Sequence, residues 1–473
     1  MRSDYELTVG LEVHAELKTK TKIFCSCPTE YGAEPNTLCC PVCMGLPGAL
    51  PTLNKAVVEL AIRAGLATHC SIAPISTHDR KNYFYPDMPK AYQISQYRTP
   101  LCRDGYLDVD TPDGSTRVRI VRIHIEEDAG KLIHDTEQGT LLDFNRCGVP
   151  LIEIVSAPDL HSADEARAYL RKLRTLLLYT EVSDCKMNEG SLRCDVNLSV
   201  RRRGESVFGV RTEIKNLNSI SFVGKAIEDE FSRQIDLLEH GEHIVQETRR
   251  FDEKSGKTVR MRIKENADDY RYFPEPDLPP IYTTDEQIED IRRSLPRLPD
   301  ERKADYLAKY GLSPADADQI SSDRAMADYF EAAAAHTEYP KVLAGILLTE
   351  VLRHSLGDFF VCPIAPEHLA ELATLTAKSI VNSSTAKGLI AELWETDQSP
   401  SELVRERNLS QINDEAFLHA LVLEILMSNP KFLADHQNGK KNVAKAVIGQ
   451  VMKQTGGRAN PVLLGEIVAK QFN

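Results

Sequence analysis

Glu12, His14 and Glu16 stand at alternate positions of a run reading Val-Gly-Leu-Glu-Val-His-Ala-Glu-Leu from Val9 to Leu17. Side chains on a strand point alternately to its two faces. Leu11, Val13, Ala15 and Leu17 therefore share one side, and the two carboxylates and the imidazole share the other, about 7 Å apart. Oxygen and imidazole donors in a row are the chemistry of a divalent-cation site. Taken alone, one such face is more simply a solvated one.

The same grammar recurs. In Val118 to Glu127, Arg122, His124 and Glu126 alternate with Val121, Ile123 and Ile125. Parity selects Glu126 over its neighbour Glu127. Glu153 sits between Ile152 and Ile154. Arg193, Asp195 and Asn197 alternate with Leu192, Cys194, Val196 and Leu198, and Arg211, Glu213 and Lys215 alternate with Thr212 and Ile214. Five strands thus pair an apolar face with one rich in Arg, His, Asp and Glu. Such a sheet can line a cavity for phosphates and metal ions, with cations serving the phosphate and carboxylates the metal. A merely solvated antiparallel face would carry more Lys, Thr and Ser and fewer His.

Five of the eleven cysteines fall between Phe24 and Cys43. Cys25-x-Cys27 followed by Cys40-x-x-Cys43 has the spacing of two metal knuckles, and thiolates so close suit tetrahedral Zn²⁺. Four protein ligands make the site structural. Cys39 is left as a spare, though its position beside Cys40 leaves open which of the two binds.

The segment Asp79 to Tyr97 combines five aromatics, basic residues and two prolines without helical or strand period. Arg80 and Lys81 could grip phosphate there, and Tyr83 and Tyr85 could stack on a base. Ser255-Gly-Lys-Thr258 resembles the end of a phosphate-binding loop, but the earlier glycine is missing, so a hairpin turn is the better reading. Asp268 to Pro280 is too rich in proline for a central strand, and its acids and Arg271 could reach back toward the cavity. No Gly-x-Ser-x-Gly elbow and no signature for releasing ammonia from an amide is present.

These residues need a framework. The expected fold is α+β. Asn54 caps a helix, Ser162-Ala-Asp-Glu165 opens another as a capping box, and Phe222 to His240 forms a third, stopped by Gly241. From Thr284 the pattern turns helical, with boundaries at Pro296-Arg-Leu-Pro299 and near Pro400 to Asn413. The chain of 473 residues, 42% apolar and 27% charged, reads as several globular domains. No apolar run matches a membrane span and the start is no signal peptide. The cysteines suit a reducing cytoplasm. Net charge is −13, so any nucleic-acid contact is local. From Lys431 onward seven Lys or Arg face two acids, a local basic excess that suits RNA.

Several long strings carry a family resemblance. Val9-Gly-Leu-Glu-Val-His14, Asp79-Arg-Lys-Asn-Tyr-Phe-Tyr-Pro-Asp87, Pro150-Leu-Ile-Glu-Ile-Val155, Glu189-Gly-Ser-Leu-Arg-Cys-Asp195, Glu213-Ile-Lys-Asn-Leu-Asn218 and, in the tail, Gly457-Arg-Ala-Asn-Pro461 resemble the GatB family of the aspartyl/glutamyl-tRNA amidotransferases. The resemblance implies a cradle domain around a mainly antiparallel sheet (residues 1–295), an all-α helical domain (296–405) and a small helical YqeY-like tail (406–473). It implies ATP and Mg²⁺ as cofactors beside structural Zn²⁺. The implied partners are the amidase GatA, the strap protein GatC, mischarged tRNA(Gln) or tRNA(Asn), and a non-discriminating aminoacyl-tRNA synthetase. The implied reaction is phosphorylation of the mischarged side-chain carboxylate by ATP, then displacement of the phosphate by ammonia. Carried over position by position, the resemblance points to Glu12, His14 and Glu126 as Mg²⁺ ligands, with Glu153, Asp195 and Glu213 as further candidates for ions or waters. Arg80, Lys81 and Arg193 would serve phosphate, and Lys440, Lys441, Lys453 and Arg458 would touch tRNA. His124 stays unassigned between ligand, proton carrier and core histidine.

Overall fold

A computed structural model describes residues 2–263, 270–357, 360–396, 398–432, 434 and 442–472. The chain divides into two units, Met1–Leu298 and Pro299–Asn473.

The first unit contains, in chain order, β1 Tyr5–Glu16, α1 Lys55–Ala67, β2 Ser71–Ile72, β3 Ile75–Ser76, β4 Asp79–Asn82, β5 Tyr92–Ser95, β6 Cys102–Thr111, β7 Gly114–Glu127, β8 Lys131–Thr136, β9 Gly139–Asp143 and β10 Pro150–Ser156. There follow α2 Ala163–Tyr179, β11 Leu192–Arg202, β12 Thr212–Lys215, α3 Ile220–Glu239, β13 Glu247–Asp252, β14 Lys257–Ile263, β15 Phe273–Pro274, β16 Ile281–Tyr282 and α4 Asp285–Ser294. Nine strands form one sheet in the order β14-β13-β12-β11-β1-β10-β7-β6-β2. Every pairing in it is antiparallel except β12 with β13. β1 is central, between β10 and β11.

The alternation that sequence predicts is the alternation observed. Leu11, Val13 and Ala15 of β1, Ile123 and Ile125 of β7 and Ile152 and Ile154 of β10 are buried on one face. Helix α1 packs against β6 and β7, α2 against β6, and α3 against β11. Each fully buried Leu, Ile or Val contributes about 1.5–3 kcal/mol. One residue departs from the expected parity: Val121 is 46% exposed. A bulge explains it, because Val155 pairs with Arg122 and Ser156 with Ile120, leaving Val121 unopposed.

Asn54 caps α1 by accepting from the Ala56 N–H. Ser162 caps α2 by accepting from Glu165 N–H. The box there is not reciprocal, since Glu165 instead accepts from His161 N–H and the Thr116 hydroxyl. Ser255–Thr258 lies in the hairpin joining β13 and β14. The segment expected to lack strand structure contains β4 and β5, paired as a short hairpin with β15 on the other edge of β4.

The second unit is helical and carries two apolar clusters. Tyr306, Phe330, Leu343, Leu369, Leu389 and Leu403 belong to the first. Leu418, Val422, Val447, Val451, Leu464 and Ile467 belong to the second, within the helices Glu415–Ser428, Val443–Gln454 and Pro461–Phe472. A helix also forms at Pro400–Glu406, where sequence suggests only a boundary. Among the described residues no helix is long and apolar enough to cross a membrane.

Candidate active site

The polar face of the central strands is built row by row. His14 stands between Arg193 of β11 and Glu153 of β10, and Glu153 stands beside His124 of β7. One row away Glu12 pairs with Asp195. Antiparallel register thus converts alternation along single strands into clusters across them.

Two clusters result. His14, Glu126 and Glu153 bring ligand atoms within 4.8 Å of one another, and so do Glu12, Asp195 and Glu213. In the first, His14 Nδ1 lies 3.2 Å from Glu126 Oε1, while His124 Nε2 lies 3.5 Å from Glu126 Oε2 and 3.3 Å from Glu153 Oε2. In the second, Lys215 Nζ is 2.6 Å from Asp195 Oδ2 and 3.1 Å from Glu213 Oε1, Thr248 donates to Glu213, and Asn197 donates to Glu12 at 3.0 Å. The set Glu12, His14 and Glu126 suggested by the resemblance is therefore divided between neighbouring groups. Glu127 points the other way, accepting from Ile94 N–H and paired with Lys90.

Both clusters border one cavity of about 260 Å³. Glu12, His14, His124, Glu153, Asp195 and Glu213 line it; Glu126, 2% exposed, is buried behind the imidazoles. Lys81 joins them from β4, and its ammonium charge is favoured, against burial, by Glu126 and Glu153. Arg122, Arg211 and Lys215 also line the wall, as do Tyr97, Tyr270 and Tyr272. Tyr97 and Tyr272 stack with centroids 4.3 Å apart.

The electrostatics suit a divalent cation. Burial raises the Glu12 carboxyl, and the charges of Glu153 and Asp195 raise it further. Burial pulls the His14 imidazole down, but the Glu126 hydrogen bond and nearby carboxylates outweigh it and push it up to about 9. Carboxylates crowded in this way gain from a cation, and oxygen-rich donors are those that Mg²⁺ takes.

Arg80 does not join Lys81. Adjacent residues on β4 face opposite ways, and the Arg80 guanidinium forms a fork on Glu275 at 2.7 and 2.9 Å, touches Asp277 at 3.1 Å and lies 4.3 Å from the Tyr92 ring centre. Arg193 likewise leaves the cavity wall and donates to Asp128 at 2.6 Å. Neither guanidinium faces the cavity as expected, because each is committed to a buried carboxylate.

The family model described as the GatB/GatE catalytic domain matches residues 7–289, and that described as the GatB domain matches residues 328–472. The chain belongs to the GatB family. It is 53% identical to the aspartyl/glutamyl-tRNA(Asn/Gln) amidotransferase GatB protein of Caldicellulosiruptor bescii, with 99% of both chains covered. The corresponding proteins from Caldanaerobacter subterraneus and Thermodesulfovibrio yellowstonii are 51% and 48% identical, covering 99% and 98% of this chain and 99% of each relative.

Outside the cavity, Cys25, Cys27, Cys40 and Cys43 bring their sulfurs within 4.8 Å of one another. Cys40 and Cys43 Sγ are 3.9 Å apart, close to the roughly 3.8 Å edge of a tetrahedron with Zn–S bonds of about 2.3 Å. Cys39 turns away, its Sγ 3.7 Å from Asn145 Oδ1. Of the tail residues, Lys453 is exposed, Arg458 donates to the carbonyls of Asn408 and Thr455, and Lys440 and Lys441 lie outside the described residues, as do Asp268 and Asp269.

Sequence reasoning recognises Arg122, Arg211 and Lys215 only as polar-face residues. Their parity with Glu126 and Glu213 is the signal that puts them at the site. Tyr97, Tyr270 and Tyr272 arrive through tertiary packing and leave no local pattern.

Proposed function

We propose that this chain is the carboxylate-activating component of an aspartyl/glutamyl-tRNA(Asn/Gln) amidotransferase, working in the cytoplasm in a heterotrimer with GatA and GatC. Its substrates are ATP and tRNA(Gln) or tRNA(Asn) mischarged with Glu or Asp; its product carries Gln or Asn. The observation that supports this most is the cavity where carboxylates, imidazoles, Lys81 and Lys215 converge.

A carboxylate oxygen leaves poorly, so amidation first requires conversion of the side-chain carboxylate to an acyl phosphate. Phosphoryl transfer is catalysed chiefly by positioning and by neutralising charge. ATP with Mg²⁺ supplies the phosphoryl group and neutralises part of that charge. His14, Glu126 and Glu153 on one side, and Glu12, Asp195 and Glu213 on the other, hold the cations. Lys81, Lys215, Arg122 and Arg211 balance phosphate oxygens. His124 fixes Glu126 and Glu153 from behind. The chain supplies no nucleophile; ammonia released by GatA displaces the phosphate.

Residues 1–295 form the catalytic domain, 296–405 a helical domain and 406–473 a tail that contacts tRNA through Lys440, Lys441, Lys453 and Arg458. Cys25, Cys27, Cys40 and Cys43 bind a structural Zn²⁺. Replacing Cys25 and Cys27 removes the zinc and costs stability more than chemistry.

The test combines purified chain, partners, ATP and Glu-tRNA(Gln). ADP formation should require mischarged tRNA, and Glu126→Ala should abolish it while tRNA binding persists. Hydrolysis independent of ATP, or tRNA binding without turnover in the wild type, would refute the reading.

A further inference from the structure

Between β4 and β5 the chain turns through Phe84 and Tyr85, which are 77% and 58% exposed. Single exposed aromatics are ordinary; two adjacent rings on a braced turn are less so. The turn is held by Met88 N–H donating to Tyr85 O and Ala91 N–H to Met88 O, both at 3.0 Å, and by Gly130 N–H donating to Asp87 O at 2.8 Å. Pro86 and Pro89 restrict it further. The rings are thus presented by an ordered frame.

That frame adjoins the cavity. Tyr83 packs edge-on against Tyr270 at 6.3 Å, and its ring centre is 6.0 Å from Lys81 Nζ; both partners line the cavity wall. Arg271 has a left-handed backbone, φ 48°, and its guanidinium lies 5.8 Å from the Phe84 ring centre. Lys131, also exposed, directly follows the Gly130 that braces the turn.

We propose that Phe84 and Tyr85, with Arg271, form a stacking platform for the unpaired 3′-terminal nucleotides of the aminoacylated RNA. This rests on the function proposed above. A Glu or Asp side chain is only a few bonds long, so when its carboxylate lies in the cavity, the nucleotide bearing the ester must lie at the rim. Every base offers a π-face to an aromatic ring, and arginine and lysine balance the phosphates between bases. Cations beside open rings favour a nucleic acid over the charge-poor core of a protein interface.

The experiment uses the heterotrimer and tRNA carrying 2-aminopurine in place of the terminal adenine. The wild type should quench its fluorescence on binding, and Phe84→Ala/Tyr85→Ala should not. In the same variant KM for mischarged tRNA should rise roughly tenfold to a hundredfold, as the loss of base stacking predicts, with KM for ATP unchanged. Phe84→Tyr/Tyr85→Phe should restore both readouts. Unchanged quenching and KM would overturn the platform. So would loss of the heterotrimer on size exclusion, which would assign the rings to a protein partner. Failure of the wild type to amidate would instead refute the proposed function, while the fluorescence would still judge the platform.

Discussion

Two buried charged clusters share the nine-stranded sheet, and their difference separates structure from site. Between α3 and β13–β14, Glu230 accepts from Arg233, Gln234, Thr258 and Arg249, while Glu247 pairs with Arg249, Arg233 and Arg260. Three guanidiniums serve two carboxylates, and burial notwithstanding, Arg233 keeps the Glu230 carboxyl below its usual range. On the central strands the reverse holds. Glu12 and Asp195 face each other, Asp195 and Glu213 share Lys215, and the Glu12 carboxyl is pushed up rather than down. A closed network stabilises a fold. One short of cations and bordering a cavity is organised for something that arrives later.

The comparison can be broken in order of expected effect. Arg249→Met strips both Glu230 and Glu247 of a partner and should destabilise by about 3–5 kcal/mol, read as a lower denaturant midpoint, while the folded fraction keeps its turnover. Glu12→Gln should do the opposite. Amidation should fall roughly 10²–10³-fold, the scale of losing a group that balances transition-state charge. The unfolding midpoint without divalent cation should rise, because a carboxyl with a raised pKa costs stability at neutral pH. A destabilised Glu12→Gln would put this cluster in the same class as the first.

His78 offers an intermediate case, a buried base that packs edge-on against Phe24, with a cost of charging that neither cluster relieves. Burial pulls its imidazole down to about 4. The unfolded chain binds the proton near 6.5, so stability is fully present above pH 6.5 and falls as pH drops toward 4, by up to about 3 kcal/mol. His78→Phe should flatten that part of the curve in urea titrations at several pH values. The smallest effect belongs to a site remote from both clusters. Ser162→Ala removes the cap of α2 and should cost about 1 kcal/mol in thermal melts, with activity intact.

Much of the site is legible because the sheet obeys period two. Glu12, His14, Glu126, Glu153, Asp195 and Glu213 can each be assigned a face from a few neighbours. Cysteine spacing is equally local, and the structure turns Cys39 rather than Cys40 away. Arg80 shows where this fails. Too short for a visible period, β4 hides that Arg80 and Lys81 face opposite ways, and the carboxylates that claim Arg80 lie far along the chain at Glu275 and Asp277. The bulge at Val121 and the tyrosines of the cavity wall depend on pairing and packing between distant segments, which no single stretch encodes.

The central claim is that these carboxylates and imidazoles hold divalent cations beside a nucleotide's phosphates. Anomalous diffraction from crystals of the heterotrimer grown with Mn²⁺ and ADP tests it most directly. The account predicts manganese peaks among His14, Glu126 and Glu153 and among Glu12, Asp195 and Glu213. Manganese bound elsewhere, with none on this face of the sheet, would contradict it.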